Sequence, residues 1–494
     1  MDLIPLDSVL AGAAAVFQAK VLLAILIGVL LGFLFGASPG LTATTGVAIA
    51  TPLTFGVSFE VAMALLLGIY AAGYFAGSIP AILINTPGAP GNAASALGGY
   101  RLARSGQADL AISLAVVASA FGGLLSLTVL MLAAPNLASF ALEFTSVEYF
   151  ALGLFGLICV AAVSSGSLVK GIAGAALGMA LGTVGIDEVG GTTRFTFGLP
   201  ELQSGIPLIP ALIAFFAVAE LLLQAAAQQD AADLPRQRLH PLVRLPGLML
   251  RNGWLLLRSA LTGTVIGILP GTGPTIAAWI AYGQSARRKD AAEGEERSAT
   301  RGLIAAESAN NAVTGGALVP LLTLGIPGDT VTAVLIGALL IQGIDPGPFF
   351  IFEHGDLFAQ ILIILVISAL LILILGLGAR RVLPKILTIP PRILLPIVAV
   401  LCAAGGFAIH HAPFEVGLIA VLGIGGYILA RFGFPMAPIV IGLVLGPIIE
   451  VNLRNGLVAN DMDVTVFVTR PISAVLLAAI AATLVWSAWR SRRR

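Results

Sequence analysis

A chain of 494 residues that is 58% hydrophobic and only 10% charged cannot cover a soluble domain with polar side chains, so its outer surface must face lipid. The formal net charge of +1 gives no reason to expect a nucleic-acid partner, and Cys159 and Cys402 lie in apolar runs as packing residues rather than a redox pair. Several apolar stretches of about 20 residues are long enough to span a bilayer. Glycine (58) and proline (28) are abundant, which points to interrupted helices and close helix contacts. The expected fold class is an all-α polytopic membrane protein.

The first apolar run starts at Val21 without a positive start or a small-residue cleavage pattern, and reads as part of the mature protein. Residues 21–56 form an apolar arm, a break at Gly36-Ala37-Ser38-Pro39-Gly40, and a second arm carrying Thr42, Thr44, Thr45 and Thr51. Each arm is about 15 residues, short of the ~20 needed to span, so a re-entrant hairpin fits; two kinked full spans are the alternative. A segment at 61–84 carries Tyr70, Tyr74 and Ser78 at spacing four and runs into Pro80 and Asn85-Thr86-Pro87-Gly88. Spans fit 108–134, 138–163, 168–187 and 205–228. A polar linker, 229–258, holds Arg236, Arg238, Arg244, Arg251 and Arg258 and divides a first membrane repeat (1–228) from a second (259–494). The second opens with a unit at 259–285 broken at Gly267 to Thr275, then a charged loop at 287–301. Later spans fit 357–378, 393–410, 414–430, 435–450 and 471–489, before a basic tail of Arg490, Arg492, Arg493 and Arg494.

The most informative stretch is Glu307 to Thr330. Glu307, Asn310, Asn311 and Thr314 sit at i, i+3, i+4 and i+7, one face of a helix. Gly315 and Gly316 follow, where another backbone can approach. Pro320, Gly325, Pro327 and Gly328 should then break the helix. In lipid every unpaired backbone group costs several kcal/mol, so broken backbone persists where it lines a cavity.

The breaks repeat. Gly36-x-x-Pro39-Gly40-x-x-x-Thr44 recurs 231 residues later as Gly267-x-x-Pro270-Gly271-x-x-x-Thr275. Pro80-x6-Pro87-Gly88 recurs 240 residues later as Pro320-x6-Pro327-Gly328. Lys and Arg favour opposite loops in the two halves. They put 85–107, Lys170, 229–258, 287–301, 380–392, Arg431 and the tail in the cytoplasm, leaving Lys20, Arg194, Arg454 and Arg470 as exceptions. The expectation is two inverted-topology repeats, each with a Pro-Gly-broken hairpin and a broken helix, and about 11 spans plus two hairpins in all.

Such repeats face their breaks toward each other near mid-membrane. Half-helix N-termini there suit a carboxylate, and hydroxyls with unwound carbonyls suit a cation. The candidate substrate-binding residues are Ser38, Thr42, Thr44, Thr45, Asn85, Thr86, Thr272, Thr275, Asn310, Asn311 and Thr314, and the candidate cation-coupling residues are Ser78, Glu307 and Asp329. Glu307 as an interfacial helix-start acid and Asp329 as a helix cap are the plainer readings. No nucleophile–base–orienter set and no phosphate-loop lysine is visible, so an enzyme is not expected. His240, His354 and His410-His411 fall in loops, without the spacing of a metal site.

Gly36–Thr54, the run Ser78-Ile-Pro-Ala-Ile-Leu-Ile-Asn-Thr-Pro-Gly, Gly98-Gly99-Tyr100-Arg-Leu-Ala-Arg, Pro270-Gly-Thr-Gly-Pro-Thr and Glu307-Ser-Ala-Asn-Asn-Ala-Val-Thr-Gly-Gly-Ala through Gly325-Ile-Pro-Gly together resemble the large permease subunit of bacterial tripartite tricarboxylate transporters. The resemblance covers essentially the whole chain. It implies a secondary active transporter of the bacterial inner membrane that imports a small carboxylate on a Na+ or H+ gradient, with no other cofactor. It also implies two partners, a small four-helix membrane subunit and a periplasmic solute-binding protein that delivers the substrate. Gly99 stands where an acid is expected, and Thr42-Ala43 where a Gly-Pro pair is expected. The second departure lies in the candidate site and weakens the expectation of citrate. A passive channel for small anions is the alternative reading.

Overall fold

The computed structural model describes residues 5–163, 167–227, 242–286 and 294–491. The chain opens with α1 (Leu6–Val16), α2 (Ala19–Ala37), α3 (Ala43–Ala50), α4 (Phe59–Ala76), α5 (Ser78–Ile84), α6 (Ala93–Arg104), α7 (Ala108–Ala141), α8 (Ser146–Val163) and α9 (Leu168–Gly182). A hairpin of β1 (Gly185–Ile186) and β2 (Thr193–Arg194) leads to α10 (Leu208–Ile213), a π-helical turn (Ala214–Val218) and α11 (Ala219–Ala227). Next come α12 (Arg244–Arg251), α13 (Gly253–Ile268), α14 (Gly273–Ala286), α15 (Glu295–Leu324), α16 (Thr330–Ile341), α17 (Phe350–Glu353) and α18 (Gly355–Gly378). The chain closes with α19 (Pro391–His410), α20 (Pro413–Arg431), α21 (Met436–Ala459), α22 (Val466–Thr469) and α23 (Pro471–Ser491).

Among the described residues nine helices are long and apolar enough to cross a membrane. The predicted span at 168–187 appears as a shorter apolar helix, α9, whereas that at 471–489 is helical throughout, within α23. The first hairpin arm is longer than expected, because α2 begins at Ala19 and runs 19 residues, whereas its second arm, α3, has only eight. The predicted span 61–84 divides at Gly77, and α7 continues through Pro135 to Ala141.

The 30-residue α15 is the axis of the bundle, about 45 Å long at ~1.5 Å per residue. Every residue from Gly302 to Thr323 is buried, its polar stripe included. The predicted break at Pro320 is not there; the helix ends at Gly325, whose φ of +68° is left-handed. Proline removes only its own donor, and the Pro320 carbonyl still closes the end by accepting from Ile326 N at 3.3 Å. The end of α5 is built alike. Asn85 takes the left-handed position (φ 57°), and Thr86 N donates to the Pro80 carbonyl at 3.3 Å.

Helices α6, α7, α13 and α14 pack on α15, α2 pairs with α4, and α18 packs on α4 and α7. The outer helices pack crosswise. The late helix α21 joins the early pair α8 and α9, and the early segment α10–α11 joins the late pair α19 and α20. The predicted first and second repeats are therefore interleaved rather than side by side.

Glycines set the closest approaches. A methyl on Gly32 would lie 2.8 Å from the Ile69 carbonyl oxygen, and one on Gly263 2.2 Å from that of Ala309. These positions are again 231 and 240 residues apart. Gly315 and Gly316 meet the backbones of α7 and α13.

The polar linker predicted at 229–258 is shorter than expected. From residue 242 it is a turn followed by α12 and the start of α13, with Leu245, Met249, Leu255 and Leu256 buried. The apolar residues there pack on the bundle, which a count of arginines does not register. Residues 229–241, with Arg236, Arg238 and His240, lie outside the described residues, as do Arg287, Arg288, Lys289 and Arg492 to Arg494.

Replacing Gly263 with valine should destabilise the protein by about 1–3 kcal/mol, because a backbone carbonyl cannot yield to the new side chain. Gly253, with nothing near its Cα face, should tolerate alanine. Thermal unfolding of both purified variants checks the contrast.

Candidate functional site

The two Pro-Gly corners and both helix breaks meet at one cavity of about 560 Å³. Thr42 to Thr45 line it from α3, Ala89 to Gly91 from the approach to α6, Gly271 to Thr275 from α14, and Asp329 and Thr330 from α16. Each stretch is a helix start, so amides and positive dipole ends face a common space. The remaining side is closed by Val160 and Val163 of α8, Phe215 to Leu223 and Pro435 to Ile441. Its described lining contains the carboxylates Glu220 and Asp329 and no lysine or arginine.

Asp329 is the best-held polar group here. It is 3% exposed and caps α16. Its Oδ1 accepts from Thr332 N at 2.8 Å and Thr332 Oγ1 at 2.9 Å, and its own amide donates to Thr332 Oγ1. Its Oδ2 accepts from Tyr70 at 2.8 Å and Tyr74 at 2.6 Å. The stripe of tyrosines on α4 thus grips a carboxylate from the other half of the chain. One residue on, Thr330 shares a 2.8 Å hydrogen bond with Thr44, joining α16 to α3.

The remaining predicted residues divide. Thr42 caps α3 by accepting from Thr45 N at 3.2 Å, and Thr45 Oγ1 donates to the Phe216 carbonyl in the π-helical turn. Thr272 donates to the carbonyls of Ile266 and Leu269 at 2.5 and 2.9 Å, and Thr275 faces the cavity. Ser38 and Ser78 do not line it; their hydroxyls donate to the carbonyls of Leu34 at the end of α2 and Phe75 at the end of α4. Asn85 and Thr86 are exposed and outside the cavity, because the left-handed turn at Asn85 carries them past it.

Glu307, Asn310, Asn311 and Thr314 share a face as predicted, but that face points into the bundle and none lines the large cavities. Glu307 is not an interfacial helix-start acid. It lies twelve residues into α15, fully buried, accepting from Ser95 of α6 and, at 3.0 Å, from Ser119 of α7. Asn311 donates to Ser119 at 2.8 Å and, with Thr314, borders a void of about 20 Å³. Asn310 donates to the Tyr74 carbonyl at 3.1 Å.

Glu220 and the Phe216 carbonyl escaped sequence reading. Glu220 is the second residue of α11, just after the π-helical turn, a form that often marks working sites, and accepts from Gln224 at 3.3 Å. An acid inside the span predicted at 205–228 was the available signal.

A second cavity, about 1110 Å³, lies at the other ends of α16 and α21. Leu208, Ile336, Leu340, Asp345 to Phe350, His354 and Leu443 to Val451 border it, with the β1–β2 hairpin at its rim. Between the cavities Ile326, Ala333, Ile441 and Leu445 pack with Leu157 and Val160 in a buried apolar cluster. The hairpin is pinned to α21. Arg454 donates to Asp187 at 2.7 Å and Arg194 to Glu450 at 2.7 Å. Arg470 is paired likewise with Glu148 at 3.0 Å, so three of the four charge exceptions are held by carboxylates.

The comparisons with known proteins agree with this architecture. The model of the tripartite tricarboxylate transporter TctA family matches residues 22–441. The chain belongs to this family. It is 39% identical over 447 residues to an uncharacterized 52.8 kDa protein of the TAR-I ttuC' 3' region of Agrobacterium vitis, covering 90% of this chain and 89% of that one. It is 42% identical over 216 residues to an uncharacterized protein of the TAR-II ttuC' 3' region of the same organism, covering 44% of this chain and 89% of that one. No solved structure matches. As a TctA-family chain it is a multi-pass membrane component of a transport system with further subunits.

The hairpin gives this TctA-family member a pH test. The Arg454 hydrogen bond holds the Asp187 carboxyl below its usual range. A depressed folded-state value stabilises above the unfolded value, roughly 3.9, and the gain is lost as pH falls through the lowered value. Hydrogen exchange in the hairpin, corrected for intrinsic rates, should stay slow from pH 7 to about 4. In Arg454→Ala the loss of protection should begin at higher pH.

Proposed function

We propose that this chain is the large permease subunit that carries a small carboxylate inward across the bacterial inner membrane together with Na+ or H+. In this reading a periplasmic binding protein delivers the substrate, and a small four-helix membrane subunit accompanies the chain. The observation that carries it is the convergence of four helix starts on a cavity whose described lining has two carboxylates and no fixed cation. Dipoles attract a carboxylate, while Asp329 and Glu220 oppose it unless a cation enters as well. Coupling follows from that balance. Of the three predicted coupling residues, Asp329 reaches the cavity and Ser78 and Glu307 do not, so the cation belongs on the Asp329 side, by Thr44 and Thr330.

Inverted-topology repeats support alternating access here. The matched closures at Pro80 and Pro320, the matched glycine contacts at Gly32 and Gly263 and the crosswise outer helices are what two such repeats would produce. The charge pattern puts the 560 Å³ cavity toward the cytoplasm and the 1110 Å³ cavity toward the periplasm. The apolar cluster between them disfavours a passive pore.

Uptake of labelled carboxylates into proteoliposomes holding all three components tests this. Collapsing the Na+ and H+ gradients in turn should reduce accumulation at least about tenfold for one of them, equivalent to some 1.4 kcal/mol. Asp329→Asn should remove gradient-driven accumulation while leaving exchange of internal for external substrate. Flux indifferent to both gradients returns the passive pore.

A further inference from the structure

We propose that the junction of α12 and α13 holds an anionic phospholipid of the cytoplasmic leaflet, its phosphate met by Arg251 and Arg258. The inference uses the membrane orientation proposed above and none of the substrate reading. Helix α13 has two unlike sides. Leu255, Leu256, Ser259, Ala260 and Gly263 are buried against the bundle. Trp254, Arg258, Leu261 and Val265, at i, i+4, i+7 and i+11, form the outward stripe. Trp254 is 68% exposed, Leu261 and Val265 are exposed, and Arg258 is half-buried between them.

The pattern continues across Asn252, where the helix is interrupted (φ −105°, ψ 13°), into α12. Leu245 and Met249 are buried one turn apart, while Arg244, Leu250 and Arg251 are exposed, the leucine 82% so. A short amphipathic helix with arginines and a bare leucine, leading into an exposed tryptophan, is the form of an element that lies among lipid headgroups. Among the described residues none of the three arginines has a side-chain hydrogen bond or ion pair, and Arg258 Nε is covered without an acceptor. Elsewhere the protein holds its basic groups itself: Lys170 donates to the Phe432 carbonyl, and Arg194, Arg454 and Arg470 pair with carboxylates.

Depth and neighbours name the occupant. Arg258 stands nine residues before the Gly267 corner, about 14 Å along the helix. With that corner near mid-membrane, the guanidinium lies at the edge of a hydrocarbon half-layer roughly 15 Å deep. A charge there needs a counter-ion, and the side chains next to it on the stripe are apolar. A phospholipid answers both needs, with phosphate oxygens for the paired guanidinium donors and acyl chains for Leu261 and Val265. A zwitterionic lipid sets its own ammonium against the phosphate, so two guanidinium groups favour a headgroup of net negative charge. A second membrane helix fits less well, because the stripe has no small residue to admit a close backbone.

The test is quenching of tryptophan fluorescence in the full-length chain reconstituted into phosphatidylcholine vesicles. Phosphatidylglycerol or phosphatidylcholine with brominated chains is added at low mole fraction, and the Trp254 signal is the part that Trp254→Phe loses. Two guanidinium groups at about fivefold each give phosphatidylglycerol a preference of roughly 25-fold. Replacing both Arg251→Gln and Arg258→Gln should bring the two lipids within twofold, and Arg431→Gln, away from this stripe, should leave the preference intact. In the unaltered protein, whose folding is not in question, molar NaCl should shrink the preference. Equal quenching by the two lipids, no quenching of Trp254 by either, or a preference that survives the double substitution or the salt overturns the proposal. Loss of the preference in millimolar inorganic phosphate also overturns it, by giving the arginines to a soluble anion.

Discussion

A carboxylate carried into a membrane protein must be met by donors or give up its charge, and Asp329 is met on both oxygens. Two of its donors belong to its own helix start and two to tyrosines 255 and 259 positions earlier. The same contact therefore caps α16, satisfies two buried phenols and fastens the breaks of the two halves together. Were either tyrosine turned away, a buried carboxylate would lose one of the four donors that hold it. The burial of α15 makes the same demand at Glu307, answered by Ser95 and Ser119. The difference is access: Asp329 borders open space and Glu307 does not.

On the proposed repeat reading, two halves of one plan need not carry one chemistry. Thr44 and Thr275 occupy matched corners, yet Thr44 is bonded to Thr330, whereas the residue that matches Thr330 is Pro90, which has no hydroxyl. Asp329 matches Ala89, so the carboxylate exists on one side only. Common backbone supplies helix starts on both sides, and unlike side chains then make one side acidic and the other bare. An anion and a cation can occupy such a cavity together without meeting the same wall.

How much of this was legible in the sequence follows from what each residue is forced to do. Pro-Gly pairs cannot sit quietly inside a membrane helix, so the four corners were readable, and so were Thr42, Thr44, Thr45, Thr272 and Thr275 beside them. Asn85 and Thr86 were misjudged because polarity reveals nothing about direction once a left-handed residue turns the chain. Glu307, Asn310 and Asn311 do share a face, but periodicity names a face without naming its neighbour. The break expected at Pro320 came at Gly325, where the conformation suits glycine and the proline carbonyl could still be used. The π-helical turn before Glu220 has no sequence signature, and the bond from Tyr70 and Tyr74 to Asp329 depends on tertiary packing.

Among the described lining residues there is no arginine or lysine, which bears on turnover in the proposed transport. A guanidinium would hold a carboxylate bidentately and strongly, and a transporter must let go within each cycle. Helix starts offer a weaker, fixed attraction that moves with the backbone presenting it. In the proposed transport cycle a shift of α14 relative to α16 would separate the amides and lower the attraction without any charge having to change. The Gly271 amide bonded to the Gly328 carbonyl at 2.9 Å links those corners directly, so motion at one break is felt at the other. In the proposed cycle, release is driven by geometry, with a cation balancing Asp329 and Glu220 while a substrate is bound.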